Sequence, residues 1–432
     1  MIENVNFRSG IGSGIGSMPV VLANLPCKSY LPSRNHRRIK YLPPPSMPRS
    51  IARNRQRWSS DNRLTTMPPG TSYCERPLVV NPCQWLATGN PRLASLVTET
   101  IGDRWMTQLE DLQQLATMAT NPLFQLRWRA IKQANKRILA NTLYAAQGIR
   151  INVNSLFDLQ LAPIGGHQRQ LLNLLHIITL VDRLKQNPHL DLSNRTFIFA
   201  DLAEATAVDL DLSAASDRDL AIGDEIQYDR LKQQMEADSN LAILGLIQAL
   251  ATTVAASPLL SEKLQIVYLP AAAGLINQLY AAADLTEQIA TAAIEDLDLN
   301  KLQAAVNGVI SIGSLGKTNH WLQQTVGEHN CFRFGLAIPE IALFKEYGYD
   351  PYNYYKYYPQ IRRAIDCLLA GYYTPSDPSL CRSIIDTLLG EDEHMVLADY
   401  IFYAACQAHV SDTYRQTGLW TQMSIMNVAG VK

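Results

Sequence analysis

Residues 169–200 read RQLLNLLHIITLVDRLKQNPHLDLSNRTFIFA. Arg169 to Gln186 carries apolar residues at helical spacing, and Arg195-Thr-Phe-Ile-Phe-Ala200 is a short apolar run of the kind that forms a strand covered on both faces. Working outward, the same alternation recurs. An apolar helix at Leu241–Ala256 leads to Leu264-Gln-Ile-Val-Tyr-Leu269; Val309-Ile-Ser-Ile-Gly313 precedes another helical stretch, and Cys331-Phe-Arg-Phe334 follows it. Upstream, NPRLASLVTETI (90–101), TQLEDLQQLATMA (107–119) and NPLFQLRWRAIKQANKRILANTLYAAQG (121–148) read as helices. Asn90–Pro91 is a start signal and Gly148 a stop. Short apolar strands separated by helices predict an α/β fold: a Rossmann-like parallel sheet with helices on both faces. Such sheets bind ligands at the carboxyl ends of their strands, where the strand order reverses.

The 432 residues carry 38 Lys+Arg against 39 Asp+Glu, and 47% are hydrophobic, enough for a large core. No run of about 20 uninterrupted apolar residues occurs, so no membrane span is expected. The near-zero net charge hides an asymmetry: residues 1–80 hold 12 Lys/Arg and 3 Asp/Glu. That tail is rich in Pro, Gly and Ser, with Arg34, Arg37, Arg38, Arg53, Arg55 and Arg57 scattered through it, and it has no period of its own. It reads as an extended basic segment without an independent fold. Three uses are open: an organelle transit peptide, an arm lying on RNA or on an acidic protein surface, or a solvated extension. Residues 81–432 form the folded body, interrupted at about 201–240 by an acidic insertion with 11 acidic and 3 basic residues. The seven cysteines include no C-x-x-C pair, which fits reduced thiols in an organelle (plastid or mitochondrion) or the cytoplasm. Cys367 and Cys406 fall in apolar helical stretches and are expected in the core.

Further pieces carry a resemblance. They are Trp85-Leu with Asn90-Pro, Ile101-Gly-Asp, Asn154-Ser-Leu-Phe-Asp158, Arg169 to Leu180, Ala283-Asp-Leu-Thr-Glu-Gln-Ile289, Asn307-Gly308, Ile312-Gly313, Gly327-Glu328, Phe334-Gly335, Gly348-Tyr349 and Ala398-Asp-Tyr400. In this order they make residues 85–432 resemble the C-terminal half of the glycogen and starch phosphorylases, α-glucan phosphorylases that use pyridoxal phosphate. The resemblance implies the Rossmann-like C-terminal domain of a two-domain glycosyltransferase fold. The family's N-terminal domain, which supplies half of the sugar cleft, has no counterpart in the sequence, nor does its final helix.

The same resemblance implies that the chemistry has been lost. The family's Schiff-base lysine falls on Gln303, whose amide cannot form an imine. Lys301 is the only nearby amine, and two residues along a helix rotate a side chain by about 200° away. The glycine nest for the cofactor phosphate becomes Asp298-Leu299-Asn300, which sets a carboxylate against phosphate. The family's phosphate-handling cations fall on Ala162, Pro163 and Gln168; of that motif Ile164 and Arg169-Gln170 remain. Glu295 matches a substrate-contacting glutamate and reads more simply as a polar loop residue. No cofactor is therefore expected, pyridoxal phosphate having been lost, and no catalytic or metal-binding residue is assigned.

Tyr347-Gly-Tyr-Asp-Pro-Tyr-Asn-Tyr-Tyr-Lys-Tyr-Tyr358 holds seven tyrosines in twelve residues. Tyrosine offers a rigid apolar ring with a polar tip, so Tyr349, Tyr352, Tyr354, Tyr355, Tyr357 and Tyr358 are candidates for an interface, with helix packing as the plainer reading. His167, His329 and His394 form no ligand spacing and read as structural or surface residues. The leading expectation is a non-catalytic structural or interaction subunit of a larger assembly, anchored in part by the basic arm. A glucan-binding or regulatory pseudoenzyme that partners an active phosphorylase is the alternative. A pyridoxal phosphate-dependent phosphorylase is the remote one.

Overall fold

The computed structural model describes residues 82–202, 224–270, 272–292, 299–375 and 377–431, the side chains of 224–236 and 299–300 excepted. The six tail arginines, most of the acidic stretch and Glu295 to Asp298 lie outside the described residues.

The described residues open with α1 (Pro82–Gly89) and α2 (Pro91–Ile101). The Asn90 side chain caps α2 by accepting from the Leu93 N–H. Then comes the 26-residue α3 (Pro122–Gln147). Asn121 caps its start by accepting from Leu123 and Phe124 N–H at 3.0 and 3.2 Å, and Gly148 ends it in the left-handed region at φ 69°. Between α2 and α3 the expected helix is instead a 3-10 helix, Leu109–Met118. Leu109, Leu112, Leu115 and Met118 recur every third residue, and only the three-residue turn of a 3-10 helix keeps such a row on one side.

Six strands follow among the described residues: β1 (Leu156–Leu161), β2 (Arg195–Ala200), β3 (Leu264–Leu269), β4 (Leu285–Gln288), β5 (Ile310–Ser314) and β6 (Phe332–Phe334). They lie in the order β3-β2-β1-β4-β5-β6, and every neighbouring pair is parallel. Strand order therefore reverses between β1 and β4. The connections run through α4 (Gln170–Gln186), α5 (Asp224–Ala256), α6 (Ile276–Ala282), α7 (Leu299–Val306) and α8 (Lys317–Val326). Beyond β6 come α9 (Ile338–Tyr347), α10 (Tyr352–Tyr357), α11 (Pro359–Leu369), α12 (Arg382–Gly390), α13 (Val396–Arg415) and α14 (Thr417–Gly430).

Alternation along β2 shows how the two faces are built. Phe197 and Phe199 join one core with α4, α5 and α13, while Ile198 and Ala200 join the other with Leu139 and Leu143 of α3. The stretch Ala237–Ala256 of α5 is long and apolar enough to cross a membrane. Its Ile243, Leu246, Ile247, Leu250 and Val254 are instead buried in the first core beneath the sheet. Cys83 and Cys381 are fully enclosed, whereas Cys367 and Cys406, expected in the core, are half-buried against it.

The two central strands are the ones that the apolar pattern did not reveal. β1 carries Asp158 and Gln160, and β4 carries Thr286, Glu287 and Gln288, all buried. Asp158, Arg195 and Glu287 meet on one face. Arg195 donates to Asp158 Oδ2 from Nε (3.0 Å) and Nη2 (2.7 Å) and to Gln407 Oε1 (2.6 Å), with Glu287 Oε1 at 3.8 Å. Glu287 accepts from Tyr403 Oη and Gln407 Nε2. One guanidinium between two enclosed carboxylates leaves a proton to be shared. Burial pushes Glu287 well above the usual carboxylate range, with Asp158's charge adding to it, and burial likewise raises Asp158. At the start of α13, burial lifts Asp392 to about 7 against its hydrogen bonds from Tyr349 Oη and two backbone N–H groups. All three bind a proton more tightly folded than unfolded. Their contribution is complete below the unfolded carboxylate range and is lost as pH rises, for Asp392 through about 7. The urea midpoint is therefore expected to fall between pH 5 and pH 8, with a shallower fall in Glu287→Gln. A midpoint that rises over this range contradicts the assignment.

Candidate functional site at the reversal of strand order

The reversal between β1 and β4 marks the place where a sheet of this order forms its ligand crevice, at the carboxyl ends of the strands, beside the loop after β1 (162–169) and the described residues after β4 (289–292). Ala162 is half-buried, its N–H donating to the Ala200 carbonyl at 3.1 Å. Pro163 is exposed, and its carbonyl accepts from Gln170 Nε2 at 2.8 Å. Gln168 is half-buried, and its carbonyl accepts from Gln160 Nε2 at 3.0 Å. None of these three positions brings a cation to the crevice.

Arg169, the basic residue left in this motif, is turned inward. It adopts a left-handed backbone at φ 55° and is 1% exposed. Its Nε donates to the Ile289 carbonyl and its Nη1 to Asp399 Oδ2, both at 2.6 Å. Asp399 in turn accepts from the Leu336 N–H at 2.8 Å. Gly335 lies against this carboxylate at φ 90°, where a Cβ would stand 2.7 Å from Asp399 Oδ2, so glycine is required. Three quoted sequence pieces, around Arg169, Phe334-Gly335 and Ala398-Asp-Tyr400, thus meet in one ion-paired knot that fastens the loop after β1 to α13. They were legible as a pattern, but their meeting was not.

Gln303 lies on α7, 8% exposed. Its Nε2 donates to Asn277 Oδ1 of α6 at 2.9 Å, and its carbonyl accepts from Asn307 Nδ2. Asn90 Nδ2 donates to Asn307 Oδ1, and Asn135 Nδ2 donates to Asn90 Oδ1, so Gln303 belongs to a buried chain of neutral amides. Lys301 is buried too, two residues earlier on the same helix. Leu299 and Asn300 open α7, and their side chains, like all of Asp298, are outside the described residues. The histidines read as unrelated come closer than their spacing suggests. The His167 carbonyl accepts from the Thr291 N–H at 3.0 Å, and Thr291 Oγ1 lies 3.3 Å from His394 Nδ1. His329 is exposed elsewhere. Among the described residues no three His, Cys, Asp or Glu side chains are grouped to hold a metal ion.

The tyrosine run divides between packing and surface. Tyr354 is buried, and Tyr349, Tyr355 and Tyr358 pack against the main core. Tyr349 Oη donates to Asp392 at 2.6 Å and Tyr355 Oη to Asp366 at 2.8 Å. Of the candidates only Tyr352 and Tyr357 stay exposed, together with Tyr347.

A parallel sheet ordered 3-2-1-4-5-6, with its crevice between the first and fourth strands, defines a Rossmann-type domain. The chain belongs to the carbohydrate phosphorylase family, whose model matches residues 78–209 and 238–432. It is 32% identical over 351 residues to the glycogen phosphorylase of Synechocystis sp.. It is 31% identical over 351 residues to the muscle forms of glycogen phosphorylase from Bos taurus and Homo sapiens. Each alignment covers 81% of this chain but 38% of the relative, so the chain spans less than two-fifths of the length of these relatives.

Proposed function

We propose that this chain is a non-catalytic member of its family that works as a structural or interaction subunit of a larger assembly, anchored in part by its basic arm. The observation that carries the reading is Gln303. Where the family resemblance calls for an amine, a neutral amide stands in hydrogen bond to Asn277. Pyridoxal phosphate does not fit the residues present. No imine-forming side chain stands at position 303, and positions 162, 163 and 168 bring no cation to offset a phosphate. Arg169 gives its Nε to the Ile289 carbonyl and its Nη1 to Asp399, and only its buried Nη2 is left without a partner among the described residues. Asp158, Arg169, Asp284 and Asp399, which fall in the matching pieces, are all buried in ion pairs that tie strands and helices together.

Two other readings rest on the relatives. The 36 curated matches include glycogen phosphorylases, which favours phosphorolysis or a regulatory glucan-binding role beside an active enzyme. Maltoheptaose separates these from a scaffold. With neutral residues at positions 162, 163 and 168, no saturable binding is expected at millimolar maltoheptaose by calorimetry. Saturable binding there favours the glucan-binding reading.

A further inference from the structure

The helix α3 carries five cations, Arg127, Arg129, Lys132, Lys136 and Arg137, and no acidic residue in 26. Its outward side is equally unusual. Leu123, Leu126, Ala130, Ala134 and Ile138 follow at spacings of three and four residues, forming an apolar stripe about 22 Å long at 1.5 Å per residue. Leu123 is 74% and Leu126 57% exposed, whereas the outward side of a surface helix is ordinarily polar. Leu419 of α14, itself exposed, extends the patch, because Gln125 Nε2 donates to the neighbouring Gly418 carbonyl. The acidic groups facing α3 are few. Glu99 pairs with Arg127 at the surface, and Asp284 is taken by Lys136. Arg129 and Arg137 have no carboxylate partner among the described residues.

A cavity of about 300 Å³ borders the stripe, lined among others by Trp128, Arg129, Tyr414, Thr417 and Trp420. Asn154, Asp284 and Gly308 also line it, and these precede β1, β4 and β5. It therefore opens at the amino end of the sheet, opposite the crevice. The Lys132 ammonium donates to the Ala283 carbonyl at 2.7 Å and to the Ala281 carbonyl at 3.2 Å, so it is spent on structure. Among the described residues Arg129 is the cation left to meet a ligand there.

We propose that α3 docks an acidic amphipathic helix of a partner protein, whose apolar side covers the leucine stripe and whose carboxylates meet Arg129 and Arg137. This rests on the interaction-subunit reading and names its surface. Charge decides among occupants. A second copy of this chain docked two-fold through the same helix would set cations against cations, and so would residues 1–80, with 12 Lys/Arg against 3 Asp/Glu. Nucleic acid would match the charge but not a stripe of leucine, alanine and isoleucine, because bases stack on open aromatic rings and those of Trp128 and Trp420 beside it are buried.

The test uses the full-length chain and a fluorescently labelled 24-residue helix built from Glu and Leu, read by anisotropy. Its Lys/Leu counterpart, phosphatidylserine vesicles and poly(U) serve as competing probes. The Glu/Leu helix is expected to bind saturably and at least tenfold tighter than the Lys/Leu helix. Leu126→Glu with Ile138→Glu, or Arg129→Gln with Arg137→Gln, should each weaken it tenfold or more without changing the circular dichroism spectrum. Equal affinity for the two helices, indifference to both variant pairs, or tighter binding of poly(U) or vesicles overturns the proposal. So does a tenfold gain in affinity on deleting residues 1–70, which would mean that the chain's own tail covers the stripe. A pyridoxal phosphate adduct would sink the scaffold reading and leave these affinities standing. Failure of the helix without such an adduct sinks only the surface.

Discussion

Arg195→Met is expected to destabilise the folded body by about 3–5 kcal/mol, the usual cost of stripping one partner from a buried ion pair. Arg195 is 3% exposed and ties β2 to Asp158 of β1, lies near Glu287 of β4, and reaches Gln407 of α13. Methionine fills much of the volume but leaves Asp158 and Glu287 enclosed without a cation. They can escape only by taking up protons or by drawing in water. The urea midpoint followed by circular dichroism should fall by about 1 M or more, given slopes of a few kcal/mol per molar. Arg382→Met, which removes an exposed pair with Asp386, should change stability by no more than about 0.5 kcal/mol. Equal effects from the two replacements would mean that the network does not hold β1 to β4.

Deleting residues 1–70 is expected to leave the body folded and soluble yet release it from its assembly. Only 24 of these 70 residues are apolar, a smaller share than the 47% of the whole chain, and ordering the segment costs about 1–2 kcal/mol per residue in backbone entropy. Its hold must therefore come from a partner, through contacts many of which are ionic. Exposed arginines are screened over about 8–10 Å at physiological salt, so added salt should weaken association of the full chain far more than of the truncated one. Unchanged assembly and salt dependence after truncation would replace the arm by a transit peptide. A mature N-terminus mapped within residues 60–75 would then confirm that reading.

The sheet was legible where its strands are apolar on both faces. β2 and β3 fall where the pattern puts them, and β5 and β6 fall within a residue of it. β1 and β4 escaped because Asp158, Gln160, Thr286, Glu287 and Gln288 break the apolar run, and only the fold supplies the partners that make burying them tolerable. The 3-10 helix at Leu109–Met118 was written in its three-residue spacing, which a search for helical periods reads as an α-helix. At the site, loss was easier to read than retention. An amide in place of an amine needs no coordinates, whereas the Arg169–Asp399 pair spans 230 residues and appears only once the chain is folded. In the tyrosine run composition alone does not tell which side of a helix faces the core: Tyr354 does, whereas Tyr352 and Tyr357 are exposed.

The non-catalytic reading is tested most directly by pyridoxal phosphate itself. The full-length protein is incubated with the cofactor, reduced with borohydride and mapped by mass spectrometry across residues 290–308. No imine absorbance band and no trapped adduct in that segment are expected, because position 303 offers an amide. A stoichiometric adduct on Lys301 would contradict the reading.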